Sequence, residues 1–340
     1  MALMVVKQIE RDKDLGSELD MPSASDIGSE WSVAVFAARE SPQVILATLD
    51  AVINATCKRT TVDLLINGNS PLANKIAETL SRHPITSDFA KVRLWHIQLG
   101  DKAHAWNQFI HHLWPQGTTA FFVDGYVQPA EKSFAFLADG VNSSEQVFGS
   151  AGLPSSGRTA PQLRQQIQIE HSLHGNLFSL KPSVILRIKK IGFRLPLGIY
   201  RTDAVLEAAL KFSFDPEHND WNIDRVFIHP QVTWATPAKH WWRYSDIKAH
   251  LKRMLRQSQG KLEIHAVRYH LAIKKRGAAS LPRTALELVL TWIDECPDQA
   301  REVLRSFMLR RALSQMRARH DWSSANIPPV LIWPVSNKSE

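Results

Sequence analysis

Between residues 31 and 126 the sequence repeats one plan: a short apolar run, a turn, and then an amphipathic segment. Trp31 to Phe36 is the first such run, and Ser41-Pro42 then supplies a helix N-cap and a first-turn proline. Val62 to Ile66 opens a second unit, whose helix starts at Ser70-Pro71. Strands that alternate with helices of this length predict an α/β fold with a parallel sheet and right-handed crossovers.

A later run, Ala120 to Val123, reads as a strand buried on both faces, and it stops at Asp124-Gly125. Pro129 then predicts the first turn of a helix. An acidic residue at the carboxyl end of a buried strand lies where open α/β sheets bind ligands, although an aspartate that only caps a turn is the alternative. Neither G-x-G-x-x-G nor a P-loop occurs, so a carboxylate, with or without a cation, is expected to hold any phosphates in place of a glycine cradle.

The overall composition is that of a soluble globular protein with one large or two modest domains: 340 residues, 44% hydrophobic and 22% charged. No apolar run approaches the ~18 residues that span a bilayer, and Met1 to Val6 is too short for a signal peptide. The two cysteines, Cys57 and Cys296, form neither a disulfide framework nor a zinc-ligand spacing. These features predict a cytoplasmic protein.

Positive charge is concentrated near the C-terminus. Between His240 and His320 there are 17 lysines and arginines against 7 aspartates and glutamates, while the whole chain carries +8. We expect a mobile leader over 1–30, a main domain over 31–240, a basic helical subdomain over 241–320 and an extended tail over 321–340. Tryptophans beside these basic helices, such as Trp241 and Trp242, suit either an anionic membrane surface or a solvated helical subdomain.

Four segments follow one another in the first third of the chain: Ala37-Ala38-Arg39-Glu40, then Leu64-Leu65-Ile66-Asn67-Gly68-Asn69-Ser70, then Gly100-Asp101-Lys102-Ala103-His104-Ala105-Trp106-Asn107, and Phe121-Phe122-Val123-Asp124-Gly125-Tyr126. In this order they resemble the N-E loop, V-D-D-G-S, G-K-x-x-A-x-N and D-x-D motifs of family 2 glycosyltransferases. The resemblance implies a GT-A fold, a mixed and mostly parallel sheet flanked by helices, with the nucleotide-sugar half at 31–126 and the acceptor half at 127–240. It also implies a set of donor-binding residues: Ala37, Glu40, Asn67, Asn69, Lys102, Asn107, Asp124 and Tyr126.

Two of these positions depart from the family pattern. Asn67 replaces the aspartate that recognises the base, although an amide oxygen can still accept a hydrogen bond from uracil or thymine N3–H. Tyr126 replaces the second aspartate of D-x-D, and a phenol is a poor ligand for Mn²⁺ or Mg²⁺. The metal candidates are Asp124 and the late histidine His229, which is either a ligand or a structural residue. A UDP-sugar is the expected donor, with metal dependence left open.

A catalytic base is implied further along the chain. Tyr200-Arg201-Thr202-Asp203 resembles the T-E-D motif of the family, with Thr202 in place of the glutamate, so Asp203 corresponds to the general base. Such a base removes the acceptor proton, which contributes roughly 10²–10⁴-fold to the rate. The alternative is that Asp203 only stabilises a helix N-terminus. The segment from Gly152 to Pro161 is expected to be a flexible loop, and His171 and His174 show no metal-ligand spacing.

The function that follows from the resemblance is inverting transfer of a sugar from a nucleotide-diphosphate donor. The acceptor would be a glycan or a lipid-linked molecule in polysaccharide biosynthesis, with peripheral contact at the inner face of a membrane. Two alternatives stay open: a catalytically impaired binding protein on the same scaffold, which Tyr126 and Thr202 would permit, and a basic nucleic-acid-binding module. The last is disfavoured because no recognition motif is present.

Overall fold

The computed structural model describes residues 30–85, 87–237, 244–318 and 320–334, and of 244–252 the backbone alone. Within these ranges one mixed sheet of nine strands forms the centre of the molecule. Its strands, in spatial order, are β5 (Gln128–Pro129), β8 (Val226–Ala235), β6 (Gly149–Pro154), β7 (Leu177–Leu180), β4 (Thr119–Asp124), β1 (Trp31–Ala37), β2 (Thr60–Asn67), β3 (Ala90–Ile97) and β9 (Val330–Trp333).

Strands β1 to β4 run parallel to one another, which confirms the predicted α/β sheet. Three helices connect them: α1 (Pro42–Asn54), α2 (Ser70–Arg82) and α3 (Lys102–Gln108), the last continuing into a π-helical turn over Phe109–Leu113. Strands β6 and β8 keep the same direction, whereas β5, β7 and β9 run against it. The sheet is therefore mixed but mostly parallel.

Alternate residues of the central strands feed two cores on opposite faces of the sheet. On β4, Phe121 and Val123 point to the face covered by α1, α2 and a later helix α4 (Ser133–Asn142). Ala120 and Phe122 point to the other face. Since both faces are covered by helices, β1, β2 and β4 are buried along their whole length, as parallel strands of this kind require.

The middle of the chain differs from the sequence-based expectation in two places. Pro129 lies in the short strand β5, and the helix that it was expected to open begins at Ser133. The expected loop over Gly152 to Pro161 is shorter, because Gly149–Pro154 forms the buried strand β6. The elements that follow are α5 (Ala160–Glu170), α6 (Pro182–Ile191) and α7 (Thr202–Lys211).

The basic C-terminal segment packs onto the same core as the sheet. Its helices are α8 (Tyr244–Arg268), α9 (Ala285–Glu295), α10 (Pro297–Val303) and α11 (Phe307–Arg317). Leu262, Trp292 and Leu313 from three of them join the cluster that contains Phe122 of β4. Strand β9 then returns to the sheet and pairs with β3. The leader up to residue 29 and the tryptophans Trp241 and Trp242 lie outside the described residues.

Among the described residues, no helix has both the length and the apolar character that crossing a bilayer would demand.

Candidate active site

A large cleft opens at the carboxyl ends of strands β1 to β4, with a volume of about 1540 Å³. The loops after these four strands line it, together with the segment before β7 and the start of α7. Residues of helices α8 and α11 line it as well. Asp124 and Asp203 both line this cleft, although they lie 79 positions apart in the sequence.

Two glycines bring the loops of the cleft close together. Gly68 has a φ of +66°, and a Cβ there would lie 2.3 Å from the Cα of Gly100. A Cβ on Gly125 would lie 2.6 Å from the Cβ of Ala37. Real Cβ atoms do not approach so closely, so both positions need glycine for the loops after β1, β2, β3 and β4 to converge.

The loop after β1 is fixed by side chains that point back at its backbone. Glu40 accepts hydrogen bonds from the N–H groups of Ala38 and Arg39, at 2.8 and 2.9 Å. Asn69 caps α2 by accepting from Leu72 N–H, and its amide group donates to the Ala38 carbonyl at 2.8 Å. Ala38 and Arg39 themselves line the cleft, so Glu40 and Asn69 shape the binding surface through these neighbours.

Asn67 connects two loops beneath the cleft. Oriented so that both ends of its amide are satisfied, Asn67 donates to the Ala37 carbonyl at 2.8 Å and accepts from Asp101 N–H at 3.3 Å. The side chain is 6% exposed and lines the cleft. Its carbonyl oxygen has a second lone pair, which remains available to a ligand.

Asp124 is the centre of a polar cluster in the cleft. The Lys102 ammonium binds its Oδ1 atom, and the Tyr126 hydroxyl donates to Oδ2 at 3.1 Å. The same hydroxyl lies 3.2 Å from Oδ1 of Asn176. Burial, together with the negative charge of Asp124, raises the pKa of Tyr126 well above its usual range, so the phenol keeps its proton at neutral pH.

Asp203 lies in the first turn of α7 and lines the same cleft. Its carboxylate accepts from the backbone N–H groups of Ala204 at 3.0 Å and Gly175 at 3.4 Å, and from Nε of Arg201 at 3.4 Å. Its side chain is 18% exposed. A carboxylate that is held by several donors and still reaches solvent is suited to accept a proton from a bound hydroxyl.

Helix α8 holds the segment that precedes Asp203. The Glu263 carboxylate is buried and accepts from the N–H groups of Tyr200 and Arg201, at 2.8 and 3.0 Å. Gln259 donates both to the Gly198 carbonyl and to Glu263. Burial raises the pKa of Glu263, and the hydrogen bonds from the backbone and Gln259 oppose this effect.

A second carboxylate, that of Asp101, links the loop after β3 to the segment before α7. Asp101 caps α3 by accepting from His104 N–H at 2.6 Å, and its other oxygen accepts from Gly198 N–H at 2.9 Å. Burial raises the pKa of Asp101, and these backbone hydrogen bonds oppose the shift. The loop after β3 and the segment before α7 are therefore linked directly.

Comparison with models of known protein families gave no match, and comparison with curated protein sequences gave none either. Among solved structures, the mannosyltransferase PcManGT from Pyrobaculum calidifontis, in complex with GDP-Man and Mn²⁺, is similar with a TM-score of 0.55 and 15% identity, over 94% of this chain and 84% of that chain. The chain has a GT-A fold. Glucosyl-3-phosphoglycerate synthase from Mycobacterium tuberculosis, in complex with Mn²⁺, UDP-glucose and phosphoglyceric acid, gives a TM-score of 0.48 and 11% identity, over 72% and 81% of the two chains.

Most of the residues predicted from the sequence meet in the cleft of this GT-A fold. Asn67, Asn69, Lys102, Asp124, Tyr126 and Asp203 line it. Ala37 is buried just beneath it and contributes its carbonyl to Asn67. Glu40 is not among the residues that line the cleft, but it accepts hydrogen bonds from the N–H groups of Ala38 and Arg39, which do line it.

Two predicted residues lie elsewhere. Asn107 is 3% exposed, and its amide exchanges two hydrogen bonds of 2.9 Å with the backbone of Leu195, so it anchors a chain segment and is not placed to touch a donor. His229 lies on β8, with its ring 5.0 Å from that of Phe136 and 5.9 Å from that of Phe227. It does not line the cleft, so the structure does not bring it to Asp124.

The sequence-based reading missed several residues that the GT-A cleft contains. His174 lines it, and its Nδ1 atom accepts from Asn176 N–H at 3.4 Å while its ring lies 5.1 Å from that of Trp234. Burial lowers the pKa of His174, so the ring is neutral near pH 7. Gln259 of α8 was also missed, since no local pattern links it to Gly198, 61 positions earlier.

Proposed function

We propose that this chain is an inverting glycosyltransferase of the hexosyltransferase type, which moves a sugar from a nucleoside-diphosphate donor to an acceptor hydroxyl. The observation that carries the proposal is that Asp124 and Asp203 line the same cleft. In this proposal Asp124 serves the donor and Asp203 serves the incoming alcohol. In a GT-A fold we expect the donor to bind in this cleft, against the four loops that converge there.

The donor is expected to lie over the loops after β1 to β4. A uridine base would reach Asn67, whose second carbonyl lone pair can accept from the N3–H of uracil. Arg39 and Lys102 line the same side and would face the diphosphate. Because an amide at this position carries no charge, the base is selected by hydrogen bonding and shape, and a UDP-sugar is the first donor to test.

The chemistry is a displacement at the anomeric carbon. The acceptor oxygen forms a bond to that carbon, while the bond from the carbon to the β-phosphate oxygen breaks and leaves its electron pair on the nucleoside diphosphate. The proton of the acceptor hydroxyl passes to the carboxylate of Asp203. Attack from the side opposite the leaving group inverts the anomeric configuration, and in the proposal Asp203 lies on the acceptor side of the anomeric carbon.

The acceptor end of the cleft is amphipathic. Met254 and Ile264 of α8 and Met308 and Leu309 of α11 line it, and Met254 and Ile264 are 38% and 43% exposed. Arg256 and Lys261 line the same end. An acceptor with an apolar part and an anionic group would satisfy both features, so we propose a lipid-linked glycan or glycolipid acceptor, as polysaccharide biosynthesis requires.

Peripheral membrane contact at the cytoplasmic face fits this acceptor. Phe307, at the start of α11, is 64% exposed, with the exposed basic residues Arg310 and Arg311 one turn later. An exposed ring among cations favours an anionic lipid surface. The protein should co-sediment with phosphatidylglycerol vesicles, and Phe307→Ser should reduce the bound fraction. Equal sedimentation with neutral vesicles would contradict the contribution of the basic residues to membrane binding.

The proposal is tested by donor binding. In a thermal-shift screen of UDP-, GDP- and dTDP-sugars, at least one donor should raise the melting temperature, because a ligand that binds only the folded state stabilises it. Slow donor hydrolysis or transfer should accompany binding. Binding with no turnover would point to an inactive binding protein, and no response to any nucleotide, with salt-sensitive nucleic-acid binding, would contradict the enzyme assignment.

A further inference from the structure

The donor atoms around Asp124 do not form a site for a divalent cation. The mannosyltransferase with the same fold was solved with Mn²⁺. In this chain, Oδ1 of Asp124 is taken by the Lys102 ammonium and Oδ2 accepts from the Tyr126 hydroxyl. Mn²⁺ and Mg²⁺ bind through carboxylate oxygens and water, and a hydroxyl that donates its proton to the carboxylate competes with the ion for the same lone pairs.

The surrounding residues do not supply substitute ligands. In the part of the chain that the structure describes, no group of three histidine, cysteine, aspartate or glutamate side chains is arranged to hold a metal ion. His229, the late histidine considered as a ligand, packs between Phe136 and Phe227 outside the cleft. A dication next to Asp124 would also meet the positive charge of Lys102 at contact distance.

The Lys102 ammonium lies close to both carboxylates of the cleft. It binds Asp124, and, measured from the point where a Cβ of Gly175 would lie, Lys102 Nζ is 3.6 Å away and Cγ of Asp203 is 3.7 Å away. The ammonium therefore lies beside Asp124 and near Asp203. Its side chain is 36% exposed, so N–H groups that do not bind Asp124 are open to a ligand in the cleft.

We propose that the donor site works without a divalent cation, and that Lys102, aimed by Asp124, neutralises the leaving diphosphate in the place of the metal. The inference rests on the proposed glycosyl transfer. When the bond from the anomeric carbon to the β-phosphate oxygen breaks, the electron pair adds one negative charge to the diphosphate. Lys102 stays protonated and donates hydrogen bonds to these oxygens, while the acceptor proton goes to Asp203.

In this arrangement the role of Asp124 differs from that of a metal ligand. It positions an ammonium through one oxygen and is itself positioned by Tyr126 through the other. Tyr126 in turn lies within hydrogen-bond distance of Asn176, the residue that precedes β7. The replacement of the second acidic residue by tyrosine is then part of a cation-free design, because it orients Asp124 without adding negative charge.

The experiment measures UDP binding by calorimetry in EDTA and in Mn²⁺, for the full chain and four variants. The wild-type dissociation constant should agree within about twofold between the two conditions. Lys102→Met should weaken binding in EDTA by about 10–100-fold, the range for the loss of a charged hydrogen bond. Lys75→Met, which removes an exposed lysine from α2 outside the cleft, should bind like wild type.

The third variant tests the role of Tyr126. Tyr126→Asp adds a second carboxylate beside Asp124, and we expect it to make UDP binding stronger in Mn²⁺ than in EDTA. The ligand-free melting temperature of each variant shows whether it folds, and Lys102→Arg, which keeps the charge, should recover part of the lost affinity.

The outcomes separate this inference from the proposed function. Wild-type binding that disappears in EDTA and returns with Mn²⁺ would overturn the cation-free site and leave the glycosyltransferase proposal standing. If neither UDP nor the GDP and dTDP tested beside it binds under either condition, both fall. Lys102→Met binding as tightly as Lys75→Met, with wild type indifferent to EDTA, would also overturn the role of Lys102.

Discussion

Glu263 accepts a hydrogen bond from the backbone N–H of Tyr200 at 2.8 Å, across 63 positions of sequence. The carboxylate is 1% exposed and lies on α8, in the basic C-terminal part of the chain. Through this contact a helix outside the central sheet fixes the segment that leads into Asp203. The placement of Asp203, the proposed base, therefore depends on a C-terminal helix.

Removal of this contact should slow turnover more than it weakens donor binding. In Glu263→Ala, Tyr200 and Arg201 lose their buried acceptor, and we expect kcat to fall by about 10–100-fold, since small displacements of a catalytic group have effects of this size. The donor dissociation constant should change less than about threefold. Glu263→Gln, which keeps one acceptor oxygen, should lose less. An equal loss of donor affinity would show that Glu263 supports the whole cleft.

A buried ion pair between β2 and β3 should contribute strongly to the stability of the protein. Asp63 is 0% exposed and accepts from Nε of Arg93 and Nε1 of Trp95, both at 2.7 Å. Asp63→Ala leaves a guanidinium charge buried without this acceptor, so we expect a loss of about 3–5 kcal/mol in urea unfolding. Glu78→Ala removes the carboxylate of an exposed pair on α2 and should cost less than ~0.5 kcal/mol. Similar losses for both variants would contradict this account.

Acid should destabilise the protein through buried histidines of α3 and its π-helical turn. His104 is 4% exposed, and burial lowers its pKa from 6.5 to about 4. Between pH 6.5 and 4 the unfolded chain binds a proton at this histidine that the folded chain does not. The free energy of unfolding is therefore unaffected by His104 above pH 6.5 and decreases as the pH falls towards 4. For His104 the loss is about 2–3 kcal/mol at pH 4.5.

The substitution His104→Gln isolates this effect. Urea unfolding at pH 7.5 and pH 4.5 should show a smaller drop in the free energy of unfolding for His104→Gln than for wild type. His111, whose pKa burial also lowers to about 4, remains in both proteins and gives the residual slope. Identical drops in the two proteins would mean that His104 is protonated in the folded state.

Gly68 should tolerate no side chain. Gly68→Ala introduces both a positive φ of 66° for alanine and a contact of 2.3 Å with the Cα of Gly100. Gly192 has a φ of 70° with nothing within 4 Å of its Cβ position, so Gly192→Ala carries only the conformational cost of about 1–2 kcal/mol. We expect Gly68→Ala to lose clearly more stability than Gly192→Ala, and to lose donor binding as well. Equal losses would show that the loops separate without cost.

The alternation of strands and helices could be predicted because each unit carries a complete local signal. Val62 to Ile66 is apolar apart from Asp63, as a strand covered on both faces needs, and the proline near the start of α2 marks a helix. The acidic ends of such strands point to one edge of the sheet, so Asp124 could be placed near Asn67 from the sequence.

The sequence-based prediction missed strand β6 because the strand contains small residues that are typical of loops. Close packing against neighbouring elements requires these small residues. A Cβ on Gly152 would lie 2.4 Å from Cγ1 of Val232, and a Cβ on Gly140 would lie 2.5 Å from Oγ of Ser150. The close approach of α4, β6 and β8 requires glycine and serine at these positions. Sequence propensities assign glycine and serine to loops because they depend on the local sequence alone. They contain no information about the elements that pack against it in space.

The roles that could not be predicted from the sequence depend on contacts between residues that lie far apart in the sequence. Asn107 fits a donor-binding motif by its spacing, but the structure turns it towards Leu195, 88 positions away. Glu263 has no neighbour in the sequence that marks it as a partner of Tyr200. His174 precedes Gly175-Asn176 directly, and its position next to that turn before β7 is the one local signal that would have pointed to the cleft.

The account depends most on Asp203 as the base that faces a donor held beside Asp124. The direct measurement compares turnover with donor binding in Asp203→Asn, which keeps the shape of the side chain and removes its basicity. We predict that kcat falls by about 10²–10⁴-fold while the donor dissociation constant stays within about threefold of wild type. Turnover within tenfold of wild type, or loss of donor binding in step with activity, would contradict the assignment of Asp203 as the base.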